Sequence, residues 1–299
     1  MAEQRIQKVL SDQGVCSRRA AEQMIDQGRV KVNGHPVKLG DKMDADTDKV
    51  SIDGKDVRIV RKRQYIYLML YKPRGFITTA ADELGRKTVM DLVKGVGRRV
   101  YPVGRLDKDS EGLLLLTDDG AFANLLTHPS GGVGKLYRVT VRPRATEEQI
   151  VQMSSGVVLD DGTKTLPAVI HIVTDEPGRT VMEITLHEGR NRQIRRMCEA
   201  CGCHVRQLKR MRIMNIMLGE LKTGDSRPVE GREYRELLRM LADSSQLPAS
   251  QLKPEVKKAP GRRSEVKKAT GRGSEVKKAT GRRSEMPHRS AKQKKTAGD

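Results

Sequence analysis

Three residues have the types and neighbours that chemistry requires. Asp107 lies in G-R-L-D-K-D-S-E-G (residues 104–112), directly ahead of the apolar run Leu113–Leu116. A carboxylate at the mouth of a buried strand can be held rigidly at a cleft edge. Ionised in a dry site, it is a competent nucleophile or general base. Tyr137, in K-L-Y-R-V, brings an aromatic ring and a hydroxyl to the start of another strand. Arg195, in E-G-R-N-R-Q-I-R-R-M, falls on a helix that follows a glycine turn. A guanidinium beside an aspartate favours its charged form. Each residue alone has an ordinary structural explanation: an Arg105–Asp107 ion pair, a buried ring, a solvated helix charge. Their joint presence in this order favours catalysis.

Other chemistries find less support. The chain contains no G-x-x-x-x-G-K-[ST], H-E-x-x-H or G-x-S-x-G. Cys198-x-x-Cys201-x-Cys203-His204 has the look of a zinc cluster. Cys198 falls inside the expected helix, however, and no second half-site lies elsewhere. These thiols are expected to serve as small hydrophobes, and no metal is assigned.

The elements that must position these residues alternate without a regular βαβ repeat. Strands are expected at Tyr65–Leu70, Leu113–Leu116, Tyr137–Val141, Ala168–Val173 and Val181–Leu186. Helices are expected at Thr88–Val93, Ala121–Leu126, Glu147–Met153 and Gln193–Ala200. The pattern implies an α+β domain on a mixed, mostly antiparallel sheet over residues 63–245. A charged stretch, Arg58 to Gln64, reads as the linker before it.

Residues 1–62 form a separate small α/β module. Ile6, Val9 and Leu10 have helical spacing up to Gly14. Ser17 sits at an N-cap position, and Gly28 closes the second helix. Val30–Val32 alternates as a strand, and Asn33-Gly34 signals a tight hairpin. Arg5, Lys8, Arg18, Arg19, Arg29, Lys31 and Lys38 give this module a basic character suited to RNA.

The chain carries 58 Lys and Arg against 38 Asp and Glu over 299 residues, a net +20. Such a balance points to nucleic acid or an anionic surface as partner. The longest apolar run is far short of a membrane span, and the first residues lack a secretory h-region. Four cysteines, too clustered for a disulfide framework, fit a reducing cytosol. A cytoplasmic protein is expected. From Glu255 the pattern E-V-K-K-A-x-G-R-x-S runs three times, with one Val per copy as its sizeable apolar group. Residues 246–299 are therefore expected to be a disordered basic tail, either an electrostatic arm for RNA or a dispensable extension.

The stretch from Arg5 to Val57, with its S-R-R, two glycines and V-N-G, resembles the RNA-binding module named after the fourth small-subunit ribosomal protein. Three later stretches, G-R-L-D-K-D-S-E-G-L-L-L-L-T, K-L-Y-R-V and E-G-R-N-R-Q-I-R-R-M, resemble the motifs of bacterial pseudouridine synthases of the RsuA/RluF family. L-x-K-P-x-G at Leu70–Gly75 and T-V-x-D-L at Thr88–Leu92 fit as well, and K-D-S-E-G looks like the RluF branch, which acts on large-subunit ribosomal RNA. The resemblance covers Arg5 to Leu241. It implies that Asp107 is the catalytic aspartate, Tyr137 the active-site tyrosine and Arg195 the ion-pair partner of Asp107. Arg105, Arg190, Arg192 and Arg196 become candidates for RNA phosphates. The implied reaction isomerises a flipped uridine of a structured ribosomal RNA stem-loop, needs neither cofactor nor metal, and demands no more than a monomer. Two other readings remain: a non-catalytic RNA-binding or ribosome-assembly factor, and a synthase acting on transfer RNA.

Overall fold

The structure, a computed structural model, describes residues 3–60, 64–128 and 132–245. The basic tail expected at 246–299 lies outside the described residues, as do three positions of the linker.

The N-terminal module follows the order β1 (Gln4–Arg5), α1 (Ile6–Asp12), α2 (Arg18–Asp26), β2 (Val30–Val32), β3 (His35–Pro36), β4 (Lys42–Met43), β5 (Val50–Ile52) and β6 (Lys55–Val57). The Ser17 hydroxyl accepts from the Ala20 amide and so caps α2 as its position predicts. Asn33 and Gly34, both at positive φ, turn β2 back into β3. Ile6, Val9, Leu10, Ala21, Ile25, Val30, Met43 and Val50 make a core of their own. With so few buried side chains, the module leaves most of its polar surface, and nearly all its cations, facing outward.

The second region runs β7 (Tyr67–Lys72), β8 (Tyr101–Val103), β9 (Glu111–Thr117), α3 (Gly120–Thr127), β10 (Lys135–Arg142), α4 (Glu147–Ser155), β11 (Val169–Glu176), β12 (Arg179–Leu186), α5 (Gln193–Ala200), β13 (His204–Ile213), β14 (Ile216–Met217), β15 (Ser226–Pro228) and α6 (Gly231–Ser245). Its sheet has the spatial order β11-β12-β10-β13-β9-β7-β15, with β8 beside β9 and β14 beside β13. Every pairing between these strands is antiparallel except β9 with β13, so the sheet is mixed but mostly antiparallel, as expected. Two sequence expectations need correction. Thr88–Val93 is a 3-10 turn at Val89–Leu92 rather than an α-helix. The long central strand β13 was not among the expected strands at all.

Successive leucines of β9 explain how its apolar run is used. Leu113 and Leu115 pack with Met69, Tyr71, Phe122, Leu237 and Leu241 under α3 and α6. Leu114 and Leu116 point to the opposite face, where Leu68, Leu70, Val89, Val100 and Leu106 cover them. A strand buried on both faces reads as a continuous apolar run. Farther along that second face, α4 and α5 pack on Val139, Met182, Ile184 and Leu186. Tyr137 touches both of these second-face cores. It therefore marks the seam between them. Cys198, Cys201 and Cys203 are all buried within the α4–α5 core, where burial pushes the Cys198 thiol up to about 12.

Candidate active site

Asp107 sits on the tight loop between β8 and β9. Bonds to its main-chain carbonyls hold that loop from below, leaving its carboxylate on the cleft side. The Lys72 ammonium, at the end of β7 and fully buried, donates to the carbonyls of Asp107 (2.9 Å), Ser110 (2.8 Å) and Pro73 (3.0 Å). Gly75 N–H donates to the Lys108 carbonyl at 2.7 Å, and the Thr78 hydroxyl donates to the Leu106 carbonyl at 2.7 Å. Burial lowers the Lys72 pKa to about 8, while Asp107, Asp109 and Glu111 act to raise it and Arg210 to lower it. Unsatisfied buried carbonyls are costly, so this one cation fixes the main chain on both sides of the loop at once.

The closeness of β9 to β13 depends on Gly112. It adopts φ +108, and a Cβ there would lie 2.3 Å from the Arg210 carbonyl oxygen and 2.6 Å from its nitrogen. Glycine is thus required both by conformation and by the approach of two backbones. Lys72, Gly112, Arg210 and Tyr137 stand opposite one another across four adjacent strands, making a transverse row in the sheet.

The opposite wall comes from the loop into α5. Glu188 accepts from Gln193 Nε2 (2.6 Å), from Leu166 N–H (2.8 Å) and from Arg190 Nε (3.0 Å), which ties the loop down. Arg192, at the N-cap of α5, is left-handed with φ 48, a conformation that costs a non-glycine residue about 1–3 kcal/mol. This turn aims its guanidinium across the cleft, where Nη1 lies 3.5 Å from Asp107 Oδ2 and 3.4 Å from Asp109 Oδ1. Arg195 is buried and pairs instead with Asp109 Oδ2 at 3.0 Å, with further donation to the Asp109 carbonyl and the Ser110 hydroxyl at 3.4 Å each. The ion-pair partner of Asp107 in this structure is therefore Arg192, not Arg195. The helical turn between them decides this, because it carries Arg195 beneath the loop while Arg192 remains at the rim. A cleft of about 750 Å³ opens here, lined by Arg74, Gly75, Asp107, Lys108, Asp109 and Arg192.

The remaining basic candidates divide into exposed and engaged. Arg5, Arg18, Arg19, Lys31 and Arg105 are exposed, and Arg190 is exposed although bonded to Glu188. Arg18 stands where the module meets the sheet domain, 3.7 Å from the position of a Cβ on Gly120. Lys8 is paired with Asp12 at 2.8 Å and Arg29 with Asp53 at 2.6 Å. Arg196 is only partly exposed and is held by Asp160 and Asp161. Its guanidinium in turn keeps the Asp161 carboxyl well below the usual carboxylate range. Arg196 is thus drawn to acids on the α4–β11 connection rather than offered to phosphate.

Two residues that shape the site have types and positions to which the sequence alone assigns no role: Lys72 and Arg210. The first lies inside the L-x-K-P-x-G stretch, so its position is visible in the sequence although its burial is not. Arg210 belongs to β13, whose sequence H-V-R-Q-L-K-R-M-R-I mixes four cations with its apolar residues and conceals the strand.

A family model described as RNA pseudouridylate synthase matches residues 66–200, and an S4 domain model matches residues 4–49. The chain is 44% identical over 243 residues to the Bacillus subtilis protein named ribosomal large subunit pseudouridine synthase B, covering 80% of this chain and 97% of that one. It is 37% identical over 256 residues to the Escherichia coli dual-specificity RNA pseudouridine synthase RluF, covering 86% and 84%. A crystal structure of a pseudouridylate synthase superposes with a TM-score of 0.57 at 29% identity, covering 79% of this chain and 99% of that one.

Proposed function

The chain belongs to the RNA pseudouridine synthase family, and from that premise we propose that it isomerises a specific uridine of large-subunit ribosomal RNA, with Asp107 acting at the sugar. The observation that carries this reading is the Asp107 loop, clamped through its carbonyls by Lys72 while its carboxylate faces the cleft. The ribosomal target is supported by the name of the Bacillus subtilis relative and by the exposed cations of the N-terminal module.

The reaction divides among this chain's own residues. The exposed cations of residues 1–62 and the rim arginines Arg105, Arg190 and Arg192 hold the phosphates of a structured stem-loop. Extruding the uridine from its stack costs a few kcal/mol, which the surrounding backbone contacts offset. Asp107 then either attacks the ribose anomeric carbon or removes a ribose proton, and the bond from that carbon to N1 of uracil breaks. The free uracil turns against the Tyr137 ring, and C5 bonds to the anomeric carbon as the carbon's bond to Asp107 breaks or, on the other route, as the abstracted proton returns to the ribose. Tyr137 assists as the C5 proton leaves, and N1 takes up a proton in its place. Arg195 holds the loop through Asp109 and Ser110, while Arg192 faces the Asp107 carboxylate. No cofactor or metal enters the scheme. Residues 1–62 bind, residues 63–245 catalyse, and the tail from 246 adds electrostatic affinity to a protein that works as a cytoplasmic monomer.

Expression of the protein and of Asp107→Asn in a host without its own synthases, with pseudouridines mapped across all RNAs, tests this reading. A new pseudouridine in large-subunit RNA is expected with the wild type only. A wild type that adds none would sink the enzyme reading, and one that modifies transfer RNA would move the substrate.

A further inference from the structure

Two lysines, one buried and one half-buried, lie under the two loops that frame the cleft, and their surroundings differ. Lys72 is satisfied by three carbonyls and faces three acidic side chains. Lys135, half-buried at the start of β10 and two residues from Tyr137, has no hydrogen bond or ion pair among the described residues. Its pKa is lowered to about 8, first by burial and then by the Arg210 guanidinium nearby. Its ammonium lies 3.7 Å from the position a Cβ on Gly189 would take, directly under the loop that carries Arg190 and Arg192. Arg210 is buried beside it. Its Nε donates to the Leu113 carbonyl at 2.7 Å, but its Nη2 is buried with no partner.

Withdrawing Lys135 and Arg210 from water without a counter-charge is unfavourable, and among the described residues no carboxylate pairs with either, the Leu113 carbonyl satisfying only the Nε of Arg210. The exposed rim already offers arginines to phosphate. Lys135 and Arg210 lie deeper, on the strands that flank and carry Tyr137. The group that reaches this depth is the extruded base. When the bond between the anomeric carbon and N1 breaks, its electron pair stays with uracil, which becomes an anion with charge spread over N1, O2 and O4. That charge is absent before the bond breaks, so a fixed cation here stabilises the departing state over the bound substrate.

We propose that Lys135 donates to a carbonyl oxygen of the detaching uracil and, backed by the positive field of Arg210, stabilises it as an anion. This rests on the synthase reading and holds whether Asp107 attacks the sugar or removes its proton.

The test compares single-turnover loss of substrate nucleoside for the wild type, Lys135→Met and Lys135→Arg, on RNA carrying uridine or 5-fluorouridine at the target. Fluorine makes the uracil anion more stable and so less dependent on a protein cation. Lys135→Met is expected to slow the uridine reaction at saturating RNA by about 10²–10³-fold with Kd little changed, a deficit typical of losing one charge-stabilising donor. The deficit should shrink at least severalfold on 5-fluorouridine RNA, and Lys135→Arg should recover part of the rate. Equal deficits on both substrates would overturn the assignment. So would a raised Kd with an unchanged rate, which would make Lys135 a phosphate anchor. A wild type that consumes neither substrate would instead contradict the proposed function.

Discussion

Positive charge is used differently in the two folded regions. In the N-terminal module, Arg5, Arg19 and Lys31 project into solvent from elements stabilised by a small separate core. In the sheet domain, Arg195 and Arg196 are tied to carboxylates, Arg192 is aimed at two, and Lys72 is buried against carbonyls. The first arrangement suits RNA of many local shapes, since an exposed cation meets a phosphate wherever it falls. The second fixes geometry. A cation buried under a loop sets where one carboxylate stands, and in the proposed reaction that placement gives an aspartate in a polar turn its task. The difference teaches that affinity and catalysis draw on the same residue types, separated by burial and partner.

Substitutions can break this separation, and those on the catalytic side should have the larger effects. Lys72→Met leaves buried carbonyls without a donor, each costing about 1–3 kcal/mol. It is expected to lower the melting temperature and to reduce kcat strongly while RNA affinity changes little. Wild-type pH dependence carries the same signature with opposite signs. The Lys72 ammonium must be charged to hold the loop, so the rate should fall as pH rises through about 8. Its folded pKa lies below the ordinary 10.5, so between those values the unfolded chain binds more protons and this group makes the fold more stable as pH rises. A rate that tracked stability upward above pH 8 would remove Lys72 from the account. The Lys135 ammonium shifts the same way, so the profile of Lys72→Met separates the two.

Gly112→Ala should come next, because its Cβ would fall within 2.3 Å of the Arg210 carbonyl oxygen. A loss of about 1–3 kcal/mol in chemical denaturation is expected from the backbone strain alone, with the clash adding to it. Full stability in this variant would mean that β9 and β13 do not approach so closely. The smallest effect belongs to the module. Arg19→Gln with Lys31→Gln should weaken RNA binding and reduce the slope of log affinity against log salt by about 1 for each phosphate no longer neutralised. Turnover at saturating RNA should be unchanged. Arg18 is less suited to this test because it stands at the junction with Gly120.

Legibility in the sequence followed the locality of each signal. Ser17, Asn33-Gly34 and the β9 leucines announce a cap, a hairpin and a doubly buried strand through residues adjacent in the chain. The loop of Asp107 was readable for the same reason. Arg195's partner was not, since one helical turn separates a bond to Asp107 from one to Asp109, and only the left-handed Arg192 decides it. β13 escaped because its cations hide an alternation whose purpose is long-range: Lys209 lies over the Tyr71 ring and Arg210 reaches the Leu113 carbonyl. A lysine is by type a surface residue, and the burial of Lys72 depends on a loop some 35 positions away.

The most direct test of the central claim measures RNA binding and single-turnover isomerisation together in purified Asp107→Asn. The change preserves the shape of the side chain and the carbonyl bonded to Lys72, so Kd is expected to stay near that of the wild type while pseudouridine formation falls by at least about 10³-fold. Isomerisation at a rate close to wild type, with RNA bound normally, would contradict the role given to Asp107.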